Sequence, residues 1–256
     1  MPAFSKKLQT FLKANLEKCL NQYFSSLQEI KIIQIGANDG ERLDPVVSLI
    51  EKFHCKAILV EPIPMLCKKL EKKHRGNLNI RILQKAITPQ NDQGELPFYH
   101  FEQMGVLPWK DDFTLWGSFS REHLNKFSKA VPHFEELVTC SQIPTKGIND
   151  LLATSGFEQV DYLQVDAEGY DEQLISAIIF SNHKPSLIRF EHLHSNRGRV
   201  FILLEKLAEE GYITFSLGMD TICISGPGKK YFRPLAIIKA LHSNWLKPPQ
   251  KLLLPD

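Results

Sequence analysis

The stretch Lys31–Gly40, KIIQIGANDG, carries the strongest fold signal in this chain, and Ala57–Pro62, AILVEP, completes it. Ile32–Ile35 is a short apolar run rich in β-branched residues, which is typical of a buried parallel strand. The run leads into a turn with Gly36 and Gly40, and glycine lets the backbone adopt unusual φ values and lie against a ligand. The two stretches together predict a nucleoside-binding βαβ unit.

The second predicted strand, Ala57–Val60, ends in a carboxylate. Glu61 follows Gly40 by about 20 residues, the distance at which an acid accepts hydrogen bonds from a ribose. The turn itself lacks the G-x-G-x-x-G spacing that packs a pyrophosphate, and Asn38 and Asp39 occupy its middle. An amide and a carboxylate suit an adenosine ligand that carries an amino acid. The pattern therefore favours S-adenosylmethionine (SAM) over NAD.

Composition and charge are those of an ordinary globular enzyme. Of 256 residues, 43% are apolar and 23% are charged, and the net charge of +2 is too small to favour a nucleic-acid partner. The five cysteines are scattered without a C-x-x-C pair, which predicts a reduced, cytoplasmic chain with buried thiols and no zinc site on them. They are Cys19, Cys55, Cys67, Cys140 and Cys223.

The N-terminal segment, residues 1–30, predicts an amphipathic helix. Apolar residues recur at helical spacing from Phe4 to Leu27, and lysines interrupt every apolar run, so we expect no transmembrane segment. Packing on the domain, or on a second copy in a homo-oligomer, is favoured over a helix on a membrane surface.

The middle of the chain first continues and then breaks the strand–helix pattern. Ile80–Leu83 predicts a third strand leading to Ala86, and Leu96–Phe101 predicts another. Residues 102–143 are rich in aromatic side chains and carry two glycines, which favours an inserted lid or substrate region over a purely structural cap.

In the second half, Val160–Val165 predicts a buried strand that runs directly into Asp166 and Glu168. Ligands bind beyond the carboxyl ends of strands in open α/β sheets, so we expect both carboxylates to face the crevice of the first glycine turn. Asp171 and Glu172 instead suit the start of the following helix, as a cap or through the helix dipole.

A further strand, Pro185–Glu191, is followed by His192 and His194, which makes this the strongest acid/base cluster in the chain. Histidine titrates near neutral pH, and a neighbouring carboxylate orients its ring. The same groups with Asp166 and Glu168 would suit a divalent cation, but their spacing on two strands favours no metal.

The strands Tyr212–Ser216 and Thr221–Ser225 form a predicted antiparallel hairpin. After five parallel βα units, such a hairpin completes the seven-stranded, mostly parallel sheet of a SAM-dependent methyltransferase. We therefore predict one domain over residues 31–228 and a C-terminal extension over 229–256.

The chain resembles the FkbM-type methyltransferase family over about residues 30 to 225, and the order and spacing of five motifs make the resemblance specific. The motifs are IQIGANDG (Ile33–Gly40), ILVEPIP (Ile58–Pro64), QKAIT (Gln84–Thr88), VDYLQVDAEGYD (Val160–Asp171) and PSLIRFEHLH (Pro185–His194).

The resemblance implies a Rossmann-like class I fold, SAM as cofactor, and methyl transfer to a hydroxyl of a sugar, glycan or secondary metabolite. One departure is Gln34, where many members have an acid, although an amide still accepts a hydrogen bond. The implied cofactor-binding residues are Gly36, Asn38, Asp39, Gly40, Glu61, Pro62, Ala86 and Asp166.

The expected chemistry is an in-line displacement, in which the protein supplies orientation, desolvation and a base. Glu191 with His192 or His194 is the first candidate for that base, and Asp166 is the alternative. Trp116, Ser118 and Phe119 are the candidates for contact with a small-molecule or carbohydrate acceptor. A non-catalytic scaffold and another nucleotide-dependent enzyme remain open.

Overall fold

The structure is a computed structural model that describes residues 6–41, 44–90, 94–101, 117–125, 128–129, 131, 133–192, 195–233 and 235. Its strands are β1 (Ile30–Ile35), β2 (Cys55–Val60), β3 (Ile80–Leu83), β4 (Ala86–Thr88), β5 (Glu95–Phe101), β6 (Gly117–Ser118), β7 (Val138–Gly147), β8 (Tyr162–Val165), β9 (Leu187–Glu191), β10 (Ile213–Leu217) and β11 (Asp220–Ile224). Its α-helices are α1 (Lys6–Ser25), α2 (Pro45–Lys52), α3 (Pro64–Lys73), α4 (Arg121–Asn125), α5 (Phe134–Leu137), α6 (Ile148–Ala153), α7 (Asp171–Ser176) and α8 (Arg197–Glu209).

Seven strands form the main sheet in the order β10-β11-β9-β8-β1-β2-β3. The strands β3, β2, β1, β8 and β9 are parallel neighbours, and β11 runs antiparallel between β9 and β10. This is the Rossmann-like class I methyltransferase sheet that the sequence predicts, with its C-terminal antiparallel hairpin. The chain order reverses between β1 and β8, so the ligand crevice is expected at their carboxyl ends.

The two faces of the sheet differ near those carboxyl ends. On one face, Ile33, Ile35 and Val165 pack under α6, α7 and α8 and stay apolar to the end of the strands. On the other face, Ile32 packs with α1 and α2, but the next residue of β1 on that face is Gln34. Strand side chains alternate between faces, so this second face changes from apolar to polar where the crevice begins.

The N-terminal helix α1 packs on the domain, as the amphipathic pattern predicts. Tyr23 and Phe24 are buried, and the Phe24 ring lies 5.6 Å from the Tyr162 ring of β8. The first residues of the predicted C-terminal extension join this cluster through Phe232, whose ring lies 6.5 Å from that of Tyr23. Among the described residues, no helix is long and apolar enough to cross a membrane.

A second, four-stranded sheet has the order β4-β7-β5-β6. The predicted strand at Leu96–Phe101 exists as β5, but it pairs antiparallel with β7 and not with the main sheet. Residues 138–143 of the predicted insert belong to β7, so this part is a regular strand and not a loop. Residues 102–116 lie outside the described part of the chain.

The cysteines are free, and four of the five are buried. Cys140 is exposed, which corrects the expectation that all five thiols lie in the core. It sits on β7 opposite Tyr99 of β5, and the alternating side chains of a two-sided strand place it on the outer face.

Removing the Phe24 ring is expected to destabilise the domain, because the ring is 2% exposed and packs between α1 and the main sheet. Phe24→Ala should lower the free energy of unfolding by about 3–5 kcal/mol in a urea titration. Phe11→Ala on the same helix is the matched control, since Phe11 is 54% exposed and should change stability by less than about 0.5 kcal/mol. Equal losses in the two variants would contradict the packing of α1.

Candidate functional site

The candidate site is a cleft at the carboxyl ends of β1, β2 and β8, closed on one side by the second sheet. It is open to solvent at its mouth. Nine of the predicted site residues line it, and they come from five separate segments of the chain. They are Gly36, Asn38, Glu61, Pro62, Ala86, Ser118, Phe119, Asp166 and Glu168.

The turn after β1 is built by residues with left-handed backbone. Gly36, Asn38 and Gly40 have φ of 78°, 53° and 67°. A Cβ on Gly36 would lie 1.8 Å from the backbone oxygen of Asp166, so only glycine allows this contact between the ends of β1 and β8. A Cβ on Gly40 would instead meet Leu70 of α3 at 2.7 Å. Gly36 therefore shapes the cleft, and Gly40 fits the turn against α3.

Asp39 also lies on the outer side of this turn. Its carboxylate accepts a hydrogen bond from the backbone N–H of Glu41, at 3.1 Å, and its other oxygen lies 3.8 Å from Nζ of Lys69 on α3. Neither Asp39 nor Gly40 lines the cleft. Of the residues predicted in this turn to bind the cofactor, only Gly36 and Asn38 face it.

Glu61 is 4% exposed at the end of β2. Its two carboxylate oxygens accept hydrogen bonds from the backbone N–H groups of Asn38 and Ile63, each at 2.9 Å. Burial raises the pKa of Glu61 to about 7, and these two hydrogen bonds oppose that rise. A carboxylate has about four acceptor positions, so those left over can receive hydroxyl groups from the cleft.

Gln34 provides a polar group in the floor of the cleft. It is 3% exposed, and its Nε2 donates to Oδ1 of Asp44 at 3.0 Å. Oδ1 of Asp44 also accepts from the backbone N–H of Val46, which caps α2. The Oε1 atom of Gln34 is buried and has no hydrogen-bond partner among the described residues. A buried acceptor of this kind fits a ligand that donates to it.

Next to Gln34 in the sheet, Gln164 of β8 also lines the cleft. Its Oε1 accepts from the Tyr162 hydroxyl at 2.5 Å. One strand further, Arg189 of β9 donates to Oδ2 of Asp220 at 2.6 Å. A row of polar side chains therefore crosses β1, β8 and β9 beneath the cleft and includes Gln164.

The carboxylates predicted from β8 and β9 lie close enough to influence one another. Burial raises the pKa of Asp166 to about 6, although its side chain opens to the cleft. Burial, then the neighbouring charges of Asp166, Glu191 and Glu61, raise the pKa of Glu168 to about 8. Burial, then Asp166 and Asp220, raise the pKa of Glu191 to about 7. Strongly perturbed carboxyl groups that converge in a cleft are a common property of functional sites.

Asp171 joins the loops that carry these groups. It is fully buried, and its two oxygens accept from the backbone N–H groups of Ala167, at 3.2 Å, and Glu191, at 3.3 Å. Asp171 is the first residue of α7, but its bonds go to backbone outside the helix, so it is not the cap that the sequence suggests. Glu172 is also buried and lies 3.6 Å from Nη1 of Arg199.

The predicted histidine cluster is only partly brought to the cleft. Neither Glu191 nor His192 lines it. Nδ1 of His192 lies 3.1 Å from the hydroxyl of Thr221 on β11, and burial lowers the pKa of His192. His194 lies outside the described residues. Across the described part of the chain, no three His, Cys, Asp or Glu side chains are grouped as a metal site requires.

Aromatic side chains form the wall of the cleft opposite the glycine turn. The Phe119 ring lies 5.7 Å from that of Tyr170 and 5.3 Å from that of Phe98. A Cβ on Gly117 would lie 2.3 Å from the Phe98 ring, so this glycine lets the wall close. Trp116, predicted with Ser118 and Phe119, lies outside the described residues.

Several residues of the site were missed from the sequence. Gln164 and Tyr170 line the cleft, and the signal for Gln164 is a polar residue inside an otherwise apolar strand. His123 of α4 approaches Glu168, with 4.0 Å between Nε2 and Oε2. No local pattern reveals His123, because it is 45 positions from Glu168 and on an irregular part of the chain.

The fold and the cleft define a Rossmann-like class I methyltransferase domain. The family profile of the Methyltransferase FkbM domain matches residues 34–214, and the chain belongs to that family. No curated protein sequence matches the chain.

Two similar solved structures have low sequence identity to this chain. Methyltransferase FkbM from Methylobacillus flagellatus KT has 13% identity and a TM-score of 0.44, and the match covers 77% of this chain but 44% of that protein. This chain therefore spans less than half of that relative. Precorrin-6y C5,15-methyltransferase from Geobacter metallireducens GS-15 has 13% identity and a TM-score of 0.39, with 88% and 94% of the two chains covered.

Adding a methyl group at Gly36 is expected to disrupt the site. Gly36→Ala places a Cβ against the backbone of β8, whereas Gly156→Ala, at a similar φ of 79°, meets nothing within 4 Å. Gly156→Ala should lower the free energy of unfolding only by the cost of left-handed backbone, about 1–2 kcal/mol. Gly36→Ala should lower the free energy of unfolding, measured with urea, by clearly more than Gly156→Ala does. Equal decreases in the two variants would show that the contact between β1 and β8 is not as close as described.

The raised pKa values predict that stability falls as pH rises. Carboxyl groups with a folded pKa above their ordinary value bind protons more tightly in the folded state, so their contribution is full at low pH. It is lost as pH increases from near 4.5 through about 8, the pKa of Glu168. Urea titrations across this range should show a declining free energy of unfolding for the ligand-free protein.

Glu168→Gln should make that decline shallower, because one of the titrating groups is gone. Glu158→Gln is the control, since Glu158 is exposed and should leave the slope unchanged. A slope that is the same in wild type and Glu168→Gln would contradict the perturbed titration of Glu168.

Proposed function

We propose that this chain is a SAM-dependent methyltransferase that methylates a hydroxyl oxygen of a sugar, glycan or secondary metabolite. The observation that carries the proposal is the cleft itself. A buried carboxylate, Glu61, a glycine at the β1–β8 contact, Gly36, and an unpartnered acceptor, Gln34 Oε1, face one cavity together. Family membership supports the same chemistry.

The cleft fits the parts of SAM one by one. Glu61 keeps acceptor positions for the two ribose hydroxyls, and Ala86 with Pro62 offers apolar surface to the adenine. Gly36 and Asn38 allow the chain to pass close to the ligand. The free Oε1 of Gln34 would accept a hydrogen bond from the amino group of the methionine part, so the amide replaces the usual acid without loss of the acceptor.

The cofactor, when bound, supplies a methyl group already activated on a sulfonium sulfur. The acceptor oxygen forms the new C–O bond as the methyl–sulfur bond breaks, its electron pair stays on sulfur, and the hydroxyl proton passes to a base. The protein orients the two reactants, excludes water and holds that base. Asp166 and Glu168 line the cleft and carry the base role in this proposal, with Glu191 next to them.

The acceptor would enter along the aromatic wall. Phe119 and Tyr170 offer ring surface, and Ser118 offers a hydroxyl, which together suit a sugar or an aromatic metabolite. Trp116 belongs to the same proposed contact surface. We place the reaction in the cytoplasm, since the cysteines of this chain are free thiols.

Calorimetric titration with SAM, S-adenosylhomocysteine and NADH tests the cofactor site. Both adenosyl compounds should bind, and NADH should not, because the turn has no pyrophosphate cradle. Glu61→Gln should weaken the affinity for SAM and for S-adenosylhomocysteine by about 10–100-fold. A side-chain amide has one acceptor oxygen, which cannot accept from the two backbone N–H groups and the ribose hydroxyls together. Glu158→Gln on the surface should bind like wild type.

Release of S-adenosylhomocysteine with a panel of sugars, glycans and phenolic or aliphatic alcohols then tests the reaction. Product analysis should show the new methyl group on oxygen. Binding of SAM without methylation of any acceptor would favour the scaffold alternative, and tight NADH binding would favour a different nucleotide enzyme.

A further inference from the structure

We propose that His123 is a positioning residue for Glu168, and that this pair makes Glu168 the base that receives the acceptor's hydroxyl proton. The inference rests on the proposed methyl transfer and names a residue from outside every motif of the family resemblance. It is carried by the distance of 4.0 Å between His123 Nε2 and Glu168 Oε2 and by the place of Glu168 in the cleft.

Glu168 is held in a backbone conformation that its side chain alone does not favour. Its φ is 49°, and Gly169 follows with φ of 90°. Left-handed backbone is uncommon for a residue other than glycine, asparagine or aspartate, and such strain persists where the surrounding structure imposes it. Here the turn carries the carboxylate of Glu168 into the cleft directly beyond β8, beside Asp166.

The surroundings of Glu168 oppose its ionised form. Three carboxylates act on it from three strand ends: Asp166 after β8, Glu191 of β9 and Glu61 after β2. Burial, and then these three carboxylates, raise the pKa of Glu168 to about 8, so this carboxyl group favours its protonated form at neutral pH. A proton acceptor must be ionised before the reaction, and an adjacent cation favours that state.

His123 is the residue that α4 brings to this place, and its imidazole favours the ionised carboxylate when it is protonated. Its side chain is 10% exposed, and α4 packs against β5 and β6 at the aromatic wall. Leu124 anchors the helix in a buried cluster with Phe101 and Phe134, and the backbone N–H of His123 donates to Oγ of Ser120.

Two other titratable groups on the elements around His123 have partners in the structure. Arg121 of the same helix forms an ion pair with Glu135 of α5. His100 of β5 is buried, with Nε2 2.9 Å from Oγ of Ser141. The carboxylate of Glu168 lies within ion-pair distance of His123.

In the proposed methyl transfer, every bond, electron pair and proton is accounted for. The hydroxyl oxygen bonds to the methyl group, the methyl–sulfur pair of electrons stays on sulfur, and the proton moves to a carboxylate oxygen of Glu168. Glu168 ends the step neutral, and the protonation state of His123 does not change. The proton then leaves to solvent through the open mouth of the cleft.

The test compares His123→Asn with His133→Asn, which removes an exposed histidine of the same region. The side chain of His133 is 71% exposed and lies 3.6 Å from Glu136. First, carbon-13 NMR follows the titration of the Glu168 carboxyl group, identified by its loss in Glu168→Gln. We expect the midpoint to rise by about one pH unit or more in His123→Asn, since a charge at this distance acts on that scale. It should not move in His133→Asn.

Second, kcat and KM are measured against pH with an acceptor found in the screen. In His123→Asn the acid limb of the kcat profile should move to higher pH together with the NMR midpoint. At pH 7 kcat should therefore fall about tenfold, and it should recover at high pH, with KM for SAM unchanged. A purely structural histidine would alter folding or KM without moving the profile.

An NMR midpoint that stays in place in His123→Asn overturns the proposal, with or without turnover. A midpoint that moves while the kcat profile stays also overturns it, because the base is then another group. Absence of turnover in the wild type counts against the proposed function instead, and the NMR titration then still decides whether the pair exists.

Discussion

The site depends on a tight backbone contact between the end of β1 and the end of β8. At Gly36 the space left for a side chain is occupied by the backbone oxygen of Asp166, 1.8 Å from where a Cβ would lie. The contact forces the chain to leave β1 in a left-handed turn, and that turn presents the backbone N–H of Asn38 to Glu61 on the next strand. Three strand ends are thereby held around one cavity.

The second organising feature is the concentration of carboxylates at these strand ends. Buried acids are costly unless backbone donors or cations accompany them. Here Glu61 and Asp171 each accept two backbone N–H groups, whereas Glu168 has a histidine at ion-pair distance. The arrangement concentrates carboxyl groups at one cleft, and ionisation of these groups gives the cleft a negative charge. It would be stabilised by a positively charged ligand, and the sulfonium and ammonium groups of SAM have that charge.

The small second sheet and α4 lie beside the main sheet and provide the surface that an acceptor would contact. They place Phe119 and His123 opposite the β8 loop, although these residues are 47 and 43 positions before Asp166 in the chain. The wall closes because Gly117 has no side chain against Phe98. Under the proposed function, the strand ends of the main sheet would hold the cofactor, and the middle of the chain would contact the acceptor.

The sequence by itself determined the fold class and the half of the site that follows strands directly. Gly36, Asn38, Glu61 and Asp166 were predictable because each lies within a few residues of a buried strand, and parallel strands bring their carboxyl ends to one edge. The mostly parallel sheet with its C-terminal antiparallel hairpin followed from the same units. These are local signals, because the position of each residue in the structure follows from the strand directly before it in the chain.

Only the tertiary structure decided which polar groups turn toward the cavity. Gly40 and Asp39 sit in the predicted turn yet face α3, and His192 turns to Thr221, because side-chain direction depends on which element packs nearby. The pairing of β5 with β7 and the approach of His123 to Glu168 join residues about 37 to 49 positions apart in the chain. Such contacts arise from packing of the whole chain, which no local spacing encodes.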